Sequence, residues 1–184
     1  MPRKALFLDR DGIINVNHGY VHQPAQFEWV PGIRSLLKAA QRKHYTLVIV
    51  TNQSGVARGY YSAEQYQAFE RWIEHQLWRE GIVIQHTYHC PHHPKVNGPN
   101  RRSCACRKPR PGMLIKAARD FDISLKHSLM VGDSRSDAEA ALRAGLKHGI
   151  LFRAQRRLAM PALYRSRLQP YYHCSELSAI TALL

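Results

Sequence analysis

The apolar positions of the chain alternate between short continuous runs and helical stripes. Ala5-Leu6-Phe7-Leu8 ends abruptly in Asp9-Arg10-Asp11-Gly12, the pattern of a strand buried on both faces that delivers polar groups at its carboxyl end. Ile33, Leu36, Leu37 and Ala40 recur at i, i+3, i+4 and i+7, one stripe of a helix. The β-branched run Leu47-Val48-Ile49-Val50 then closes in Thr51-Asn52-Gln53-Ser54-Gly55. Ser62 and Gln65 form a capping-box pattern opening a second helix, which carries Tyr66, Phe69, Ile73 and Leu77 to a stop at Gly81. Residues 82–88 predict another strand, and Leu114, Ala117, Ala118 and Phe121 a third helix. Leu129-Met130-Val131 predicts a strand ending at Gly132-Asp133, and Ser136 with Glu139 the cap of a fourth helix reaching Gly145. Ile150-Leu151-Phe152 is expected to be the last strand.

Strands alternating with helices predict a three-layer α/β fold with a mainly parallel central sheet and right-handed crossovers. In such open sheets ligands bind at the carboxyl ends of strands near a topological switch, so Asp9, Asp11, Thr51 and Asp133 are expected to converge. The stretch from Cys90 to Pro111 has no periodicity and reads as a long loop, of the kind that is functional or held by something. Between Gly12 and Thr46 there is room for a loop and one helix, so no separate cap domain is expected and the site should be fairly open. Trp29, Trp72 and Trp78 are expected to be packing residues, and Cys174 a small buried hydrophobe.

Composition narrows the partners more than the fold. With 184 residues, 45% of them hydrophobic, the chain can bury a core of its own and reads as one domain over residues 1–184. Its formal charge of +14 favours anionic partners, whether nucleic acid, anionic lipid or a phosphorylated small molecule. The apolar run near the N-terminus is too short for a signal peptide, and no stretch approaches the roughly 18 apolar residues of a membrane helix. Cys90, Cys104 and Cys106 cluster with histidines, which reads as metal binding rather than disulfides and points to a reducing compartment. A soluble cytoplasmic monomer is the expectation.

Two constellations carry chemistry. Asp9 and Asp11 at a strand end repel one another, and a divalent cation relieves that repulsion, with Asp133 and Asp137 supplying further hard oxygen ligands of the type Mg²⁺ prefers. Cys90, His92, Cys104 and Cys106 offer three thiolates and an imidazole, enough for a closed, structural Zn²⁺ site, with His89 and His93 as competing fourth ligands. Metal bonds would order the loop, over about residues 89–110, and with it Arg107-Lys108, which directly follow Cys106.

In order along the chain stand Phe7-Leu8-Asp9-Arg10-Asp11-Gly12, a hydrophobic strand ending in Thr51-Asn52, then Lys108, then Gly132-Asp133 with Asp137. This set resembles the haloacid dehalogenase (HAD) superfamily of phosphoryl-transfer enzymes. The resemblance implies a nucleophile at Asp9 that forms an aspartyl-phosphate, and Asp11 as proton carrier. It also implies Mg²⁺ held by Asp9, Asp133 and the Asp11 backbone carbonyl, leaving the Asp11 carboxyl free, with Lys108 and Thr51 steadying the phosphoryl group.

Within the superfamily, residues 6–152 resemble the D-glycero-D-manno-heptose-1,7-bisphosphate 7-phosphatases, with histidinol-phosphatase domains as near relatives. The likeness rests on Ile14-Asn15-Val16-Asn17-His18-Gly19-Tyr20-Val21, Ser54-Gly55-Val56-Ala57-Arg58-Gly59, Cys90-Pro91-His92-His93-Pro94 and Cys104-Ala105-Cys106-Arg107-Lys108-Pro109. It also includes Arg110-Pro111-Gly112-Met113. Carried over, Asn17, His18, Gly19, Tyr20, Asn52, Gln53, Ser54, Arg58 and Arg107 would bind substrate. Two positions depart from the family pattern: Asn17 stands where an Asp is expected, and Ser134 where a Lys is common.

The implied function is Mg²⁺-dependent removal of the C7 phosphate during synthesis of nucleotide-activated heptose for lipopolysaccharide core or other surface glycans. Histidinol phosphate is the alternative substrate. A nucleic-acid 3′-phosphatase is motivated by the charge and by Arg153, Arg156, Arg157, Arg165 and Arg167, although these arginines lack interleaved aromatic residues for base stacking. A non-enzymatic zinc-stabilised binding protein would leave the ordered aspartates without a purpose.

Overall fold

In the computed structural model, which describes residues 2–97, 99–154, 161–165 and 170–184, the predicted strands pair into one sheet. The strands are β1 (Lys4–Leu8), β2 (Tyr45–Asn52), β3 (Ile84–Cys90), β4 (Leu129–Gly132), β5 (His148–Phe152), β6 (Leu163–Arg165) and β7 (Tyr172–Cys174), in spatial order β3-β2-β1-β4-β5-β7-β6. All pairings are parallel except β6 with β7. The helices are α1 (Ile33–Arg42), α2 (Ser54–Ala57), α3 (Ala63–Arg79), α4 (Gly112–Phe121) and α5 (Arg135–Arg143).

Alternation along the strands builds the three layers. Leu6, Leu8, Leu47, Ile49, Leu129 and Val131 bury one sheet face against the α1 stripe and against Phe69, Ile73 and Leu77 of α3. Ala5, Phe7, Val48, Val50 and Met130 bury the other against Met113, Leu114 and Ala117 of α4 and Ala140 and Ala141 of α5. A two-residue period on each strand thus meets a helical stripe on each side.

Four expectations need correction. The strand at 150–152 is not the last: β7 joins β5 in parallel, and β6 closes the edge as β7's antiparallel partner. These strands have three residues each, too few to display a period. Helix α5 begins two residues earlier than the Ser136–Glu139 pattern predicts, because Ser134 is its N-cap and Asp137 closes back onto it. The four-residue helix α2 was not foreseen. Trp72 packs on the core as expected, and so does Trp29, but Trp78 is 65% exposed. Of the basic C-terminal segment, about residues 153–173, Arg153 and Arg165 are described, while Arg156, Arg157 and Arg167 lie outside the described residues. Among the described residues, no helix is long and apolar enough to cross a membrane.

The switch point lies between β1 and β4. From β1 the chain builds β2 and β3 to one side, then returns to place β4 on the other. Loops leaving β1 and β4 therefore diverge and open a crevice at their carboxyl ends. Asp9 follows β1, and its N–H donates to the Val131 carbonyl at 2.9 Å, while Asp133 follows β4.

Candidate active site

A cleft of about 250 Å³ opens at this crevice, lined by Asp9, Asp11, Asn17, Gly19, Tyr20, Thr51, Asn52, Gln53, Ser54, Gly55, Tyr61 and Asp133. Gly12 is what lets the two aspartate loops meet. It adopts φ +83°, and a side chain there would collide with the Asp133 carboxylate. Carboxylate oxygens of Asp9, Asp133 and Asp137 lie within 4.8 Å of one another.

Lys108 comes to this cluster from the far side of the long loop and is 3% exposed. Its Nζ lies 3.0 Å from Asp9 Oδ2 and 2.6 Å from Asp137 Oδ1, and donates to the Val50 carbonyl at 2.7 Å. Burial works against its charge, but the Asp137 and Asp9 carboxylates outweigh burial and hold its pKa above the ordinary lysine value. Asp9 is pushed up to about 7, mainly by burial, with Asp137, Asp133 and Asp11 adding to the rise and Lys108 opposing it. Asp133 is also raised, by burial and then by Asp137. Lys108 alone among the Asp9, Asp133 and Asp137 carboxylates leaves negative charge uncompensated, and the donors are hard oxygens on a common centre. The residues fit a Mg²⁺ ion.

The Asp11 carboxyl is held, contrary to the expectation that it would be free. Its Oδ1 accepts from Asn15 Nδ2 and Arg10 Nη2, both at 3.0 Å, and its Oδ2 from Gln53 Nε2 at 3.0 Å and Arg10 Nη2 at 2.9 Å. Gln53 is itself oriented, donating to Thr51 Oγ1 at 2.9 Å and accepting from the Tyr61 hydroxyl at 2.7 Å. The Asn52 amide grips the Lys108 backbone in both directions at 3.1 Å. Asn52 and Gln53 line the cleft, but their amides are taken up by Lys108, Asp11, Thr51 and Tyr61 rather than standing free for a ligand.

The remaining predicted substrate residues divide. Asn17, Gly19, Tyr20 and Ser54 line the cleft; His18, Arg58 and Arg107 do not. His18 pairs with Glu28 at 3.1 Å, Arg58 Nη2 lies 3.4 Å from His93 Nε2, and Arg107 Nη1 donates to the His92 carbonyl at 3.2 Å. The two departures have local partners. Asn17 hydrogen-bonds Asp133, where a second carboxylate would repel it. Ser134 donates its N–H and hydroxyl to Asp137 Oδ2 at 3.0 and 2.7 Å. Asp137 is thereby held on Oδ2 by Ser134 and on Oδ1 by Lys108, while Asp9 accepts the Arg10 N–H on Oδ1 at 2.7 Å and faces Lys108 with Oδ2.

Behind Lys108, Cys90, His92, Cys104 and Cys106 form a second cluster with donor atoms within 4.8 Å of one another. The Sγ–Sγ separations are 3.4, 3.2 and 3.0 Å, and His92 Nδ1 lies 3.6 Å from Cys90 Sγ and 3.5 Å from Cys106 Sγ. Tetrahedral zinc with bonds of about 2.3 Å to sulfur separates neighbouring sulfurs by about 3.8 Å, so a small outward movement admits it. Three thiols and one imidazole are a donor set zinc takes. Between the candidate fourth ligands the geometry chooses His92: His89 rests on the Tyr66 ring, and His93 Nδ1 accepts from the Lys95 N–H.

Sequence reading missed the buried Arg10 and the supporting roles of Asn15 and Tyr61. The one available signal for Arg10 was its place between two acids at a strand end.

Known proteins resemble this chain in sequence and in fold. The HAD-hydrolase-like family matches residues 105–155. The chain is similar to the D-glycero-beta-D-manno-heptose-1,7-bisphosphate 7-phosphatase of Haemophilus ducreyi, 46% identical over 154 residues that cover 83% of this chain and 85% of the relative. The enzyme of that name from Vibrio cholerae is 44% identical over 155 residues, covering 83% of each chain. Among solved structures, D,D-heptose 1,7-bisphosphate phosphatase from B. bronchiseptica, complexed with magnesium and phosphate, matches with TM-score 0.79 and 31% identity over 98% of this chain and 97% of that one.

Fold, motif order and these matches define a HAD-like hydrolase. Within that class, the chain belongs to the heptose-1,7-bisphosphate 7-phosphatase family.

Proposed function

We propose that this protein hydrolyses the C7 phosphate of D-glycero-β-D-manno-heptose 1,7-bisphosphate in the cytoplasm, on the route to nucleotide-activated heptose. The observation that carries the reading is the convergence of Asp9, Thr51, Lys108 and Asp133 at the mouth of β1 and β4, in a chain with this family membership. Mg²⁺ held by Asp9, Asp133 and the Asp11 backbone carbonyl would supply charge neutralisation for the transferred phosphoryl group.

An Asp9 carboxylate oxygen attacks phosphorus in line, the P–O bond to C7 breaks, and Asp11 protonates the departing sugar oxygen. Lys108 balances charge on the transferring group and the Thr51 hydroxyl donates a hydrogen bond to it, which lets a carboxylate approach a polyanion. Asp11 then takes a proton from water, the water oxygen attacks phosphorus of the aspartyl-phosphate, and inorganic phosphate leaves with Asp9 restored. Cys90, His92, Cys104 and Cys106 would hold a structural Zn²⁺, whose bonds would fix the loop that presents Lys108.

Two aromatic residues stand at the cleft mouth. Tyr20 lines it, and Tyr60 meets the Tyr20 ring edge-on at 4.6 Å; both are exposed. They form a wall for the sugar's apolar face, worth about 1 kcal/mol. Tyr20→Ala is expected to raise KM about 5-fold with kcat within about 2-fold, a loss of binding common to ground and transition states. An unchanged KM would remove Tyr20 from the substrate contacts.

Phosphate release from the α and β anomers of the heptose bisphosphate, histidinol phosphate and a 3′-phosphorylated oligonucleotide tests the substrate assignment. The β-heptose bisphosphate is expected to give the highest kcat/KM. Preference for histidinol phosphate or the oligonucleotide would overturn the assignment while retaining the chemistry.

A further inference from the structure

Arg10 is the largest fully buried side chain described, and it is 1% exposed. A guanidinium withdrawn from water needs charged and polar partners, and here a single nitrogen collects most of them. Arg10 Nη2 donates to Asp11 Oδ2 at 2.9 Å, to Asp11 Oδ1 at 3.0 Å and to the Val21 carbonyl at 2.7 Å, while Nε reaches Asp11 Oδ1 at 3.3 Å. The guanidinium carbon lies 5.6 and 5.4 Å from the Tyr66 and Phe69 ring centroids, which restricts the group laterally. Val21 directly follows Gly19 and Tyr20 of the cleft wall. The arginine therefore joins two parts of the site that the backbone brings together at different points: the carboxyl that moves the proton and the loop that meets the sugar.

We propose that Arg10 is a positioning residue that couples the substrate loop at residues 17–21 to Asp11, so that a substrate seated on that loop finds the proton-transferring carboxyl at a fixed place. A lysine keeps the charge but lacks the second donor, Nε on Asp11 Oδ1, and the flat group flanked by the Tyr66 and Phe69 rings, so its ammonium is not held in the same orientation. The proposal rests on the reading of Asp11 as proton carrier, and the test separates the two.

The experiment compares kcat/KM on the heptose bisphosphate, whose alkoxide needs a proton to leave, with kcat/KM on p-nitrophenyl phosphate, whose phenolate does not. This ratio reports steps only through the first irreversible one, so the later base role of Asp11 does not enter. Asp11→Asn and Arg10→Lys are both expected to lose about 100-fold on the sugar and less than about 5-fold on the aryl ester. Arg10→Gln, which retains an N–H donor without the charge, is the second variant, with circular dichroism and melting to confirm folding. Equal losses on both substrates, or no loss on either, would assign Arg10 a structural role or none. Failure of both Arg10 variants to fold would likewise overturn the positioning role in favour of a structural one. Equal losses for Asp11→Asn would instead sink the proton-carrier reading itself. If Asp11→Asn discriminates between the substrates and a folded Arg10 variant does not, only the Arg10 assignment falls.

Discussion

An Asp9→Asn variant is expected to lose turnover by about 10⁴-fold or more while keeping its fold, because an amide cannot form the covalent intermediate. Its stability supplies a second readout. The Asp9 carboxyl is raised from 3.8 to about 7 by burial and by the neighbouring carboxylates. A raised acid pKa means that the folded state disfavours the charged form, so the cost to stability grows as pH rises from about 4 to about 7 and is constant above. Asparagine carries no such cost. In Mg²⁺-free buffer, the melting temperature of the variant minus that of the parent is therefore expected to climb across this interval and level off beyond it. Retained turnover would contradict the nucleophile assignment, and a falling difference would contradict the account of the buried charge.

Removal of zinc is expected to have the second-largest effect. A metal on the cluster would anchor the stretch between β3 and α4, and Lys108 lies two residues beyond Cys106. In a chain with its own core, loss of the metal loosens this stretch rather than unfolding everything, at a cost of about 3 kcal/mol, or roughly 6–12 °C in melting temperature. Displacement of Lys108 by about an ångström lowers turnover about 100-fold. A zinc-selective chelator with Mg²⁺ in excess, or Cys106→Ser, checks both numbers, and added zinc restores the chelated protein. Full activity in metal-analysed, zinc-free protein would contradict a structural role for the cluster.

The parts of this protein legible in its sequence are those written in local pattern. Leu6 and Leu8 on one face of β1 and Ala5 and Phe7 on the other follow from a continuous apolar run. The aspartates, Thr51 and Lys108 stand in motifs whose order carries the site. Contacts made across long separations were not legible. The Gln53 and Asn52 amides look free in a loop until folding brings Asp11 and Lys108 against them, the latter 56 positions away. His92 stood first for the zinc set, but spacing alone could not dismiss His89 and His93, whose rings are engaged by Tyr66 and by the Lys95 N–H only in the fold. Trp78 fell near a helical stripe yet lies outside it, because the stripe of α3 continues through Ile73 and Leu77. Arg10 shows the limit most plainly: a charged residue in a polar turn reads as solvated, and only the fold encloses it among Asp11, the Val21 carbonyl and the Tyr66 and Phe69 rings of α3.

In the proposed reaction a phosphoryl group passes from C7 to Asp9. Enzyme mixed with heptose bisphosphate labelled in the 7-phosphate, quenched in acid within a turnover and digested, is expected to carry the label on the peptide containing Asp9. Label on any other residue, label arriving from the 1-phosphate, or unlabelled protein alongside rapid phosphate release would contradict it.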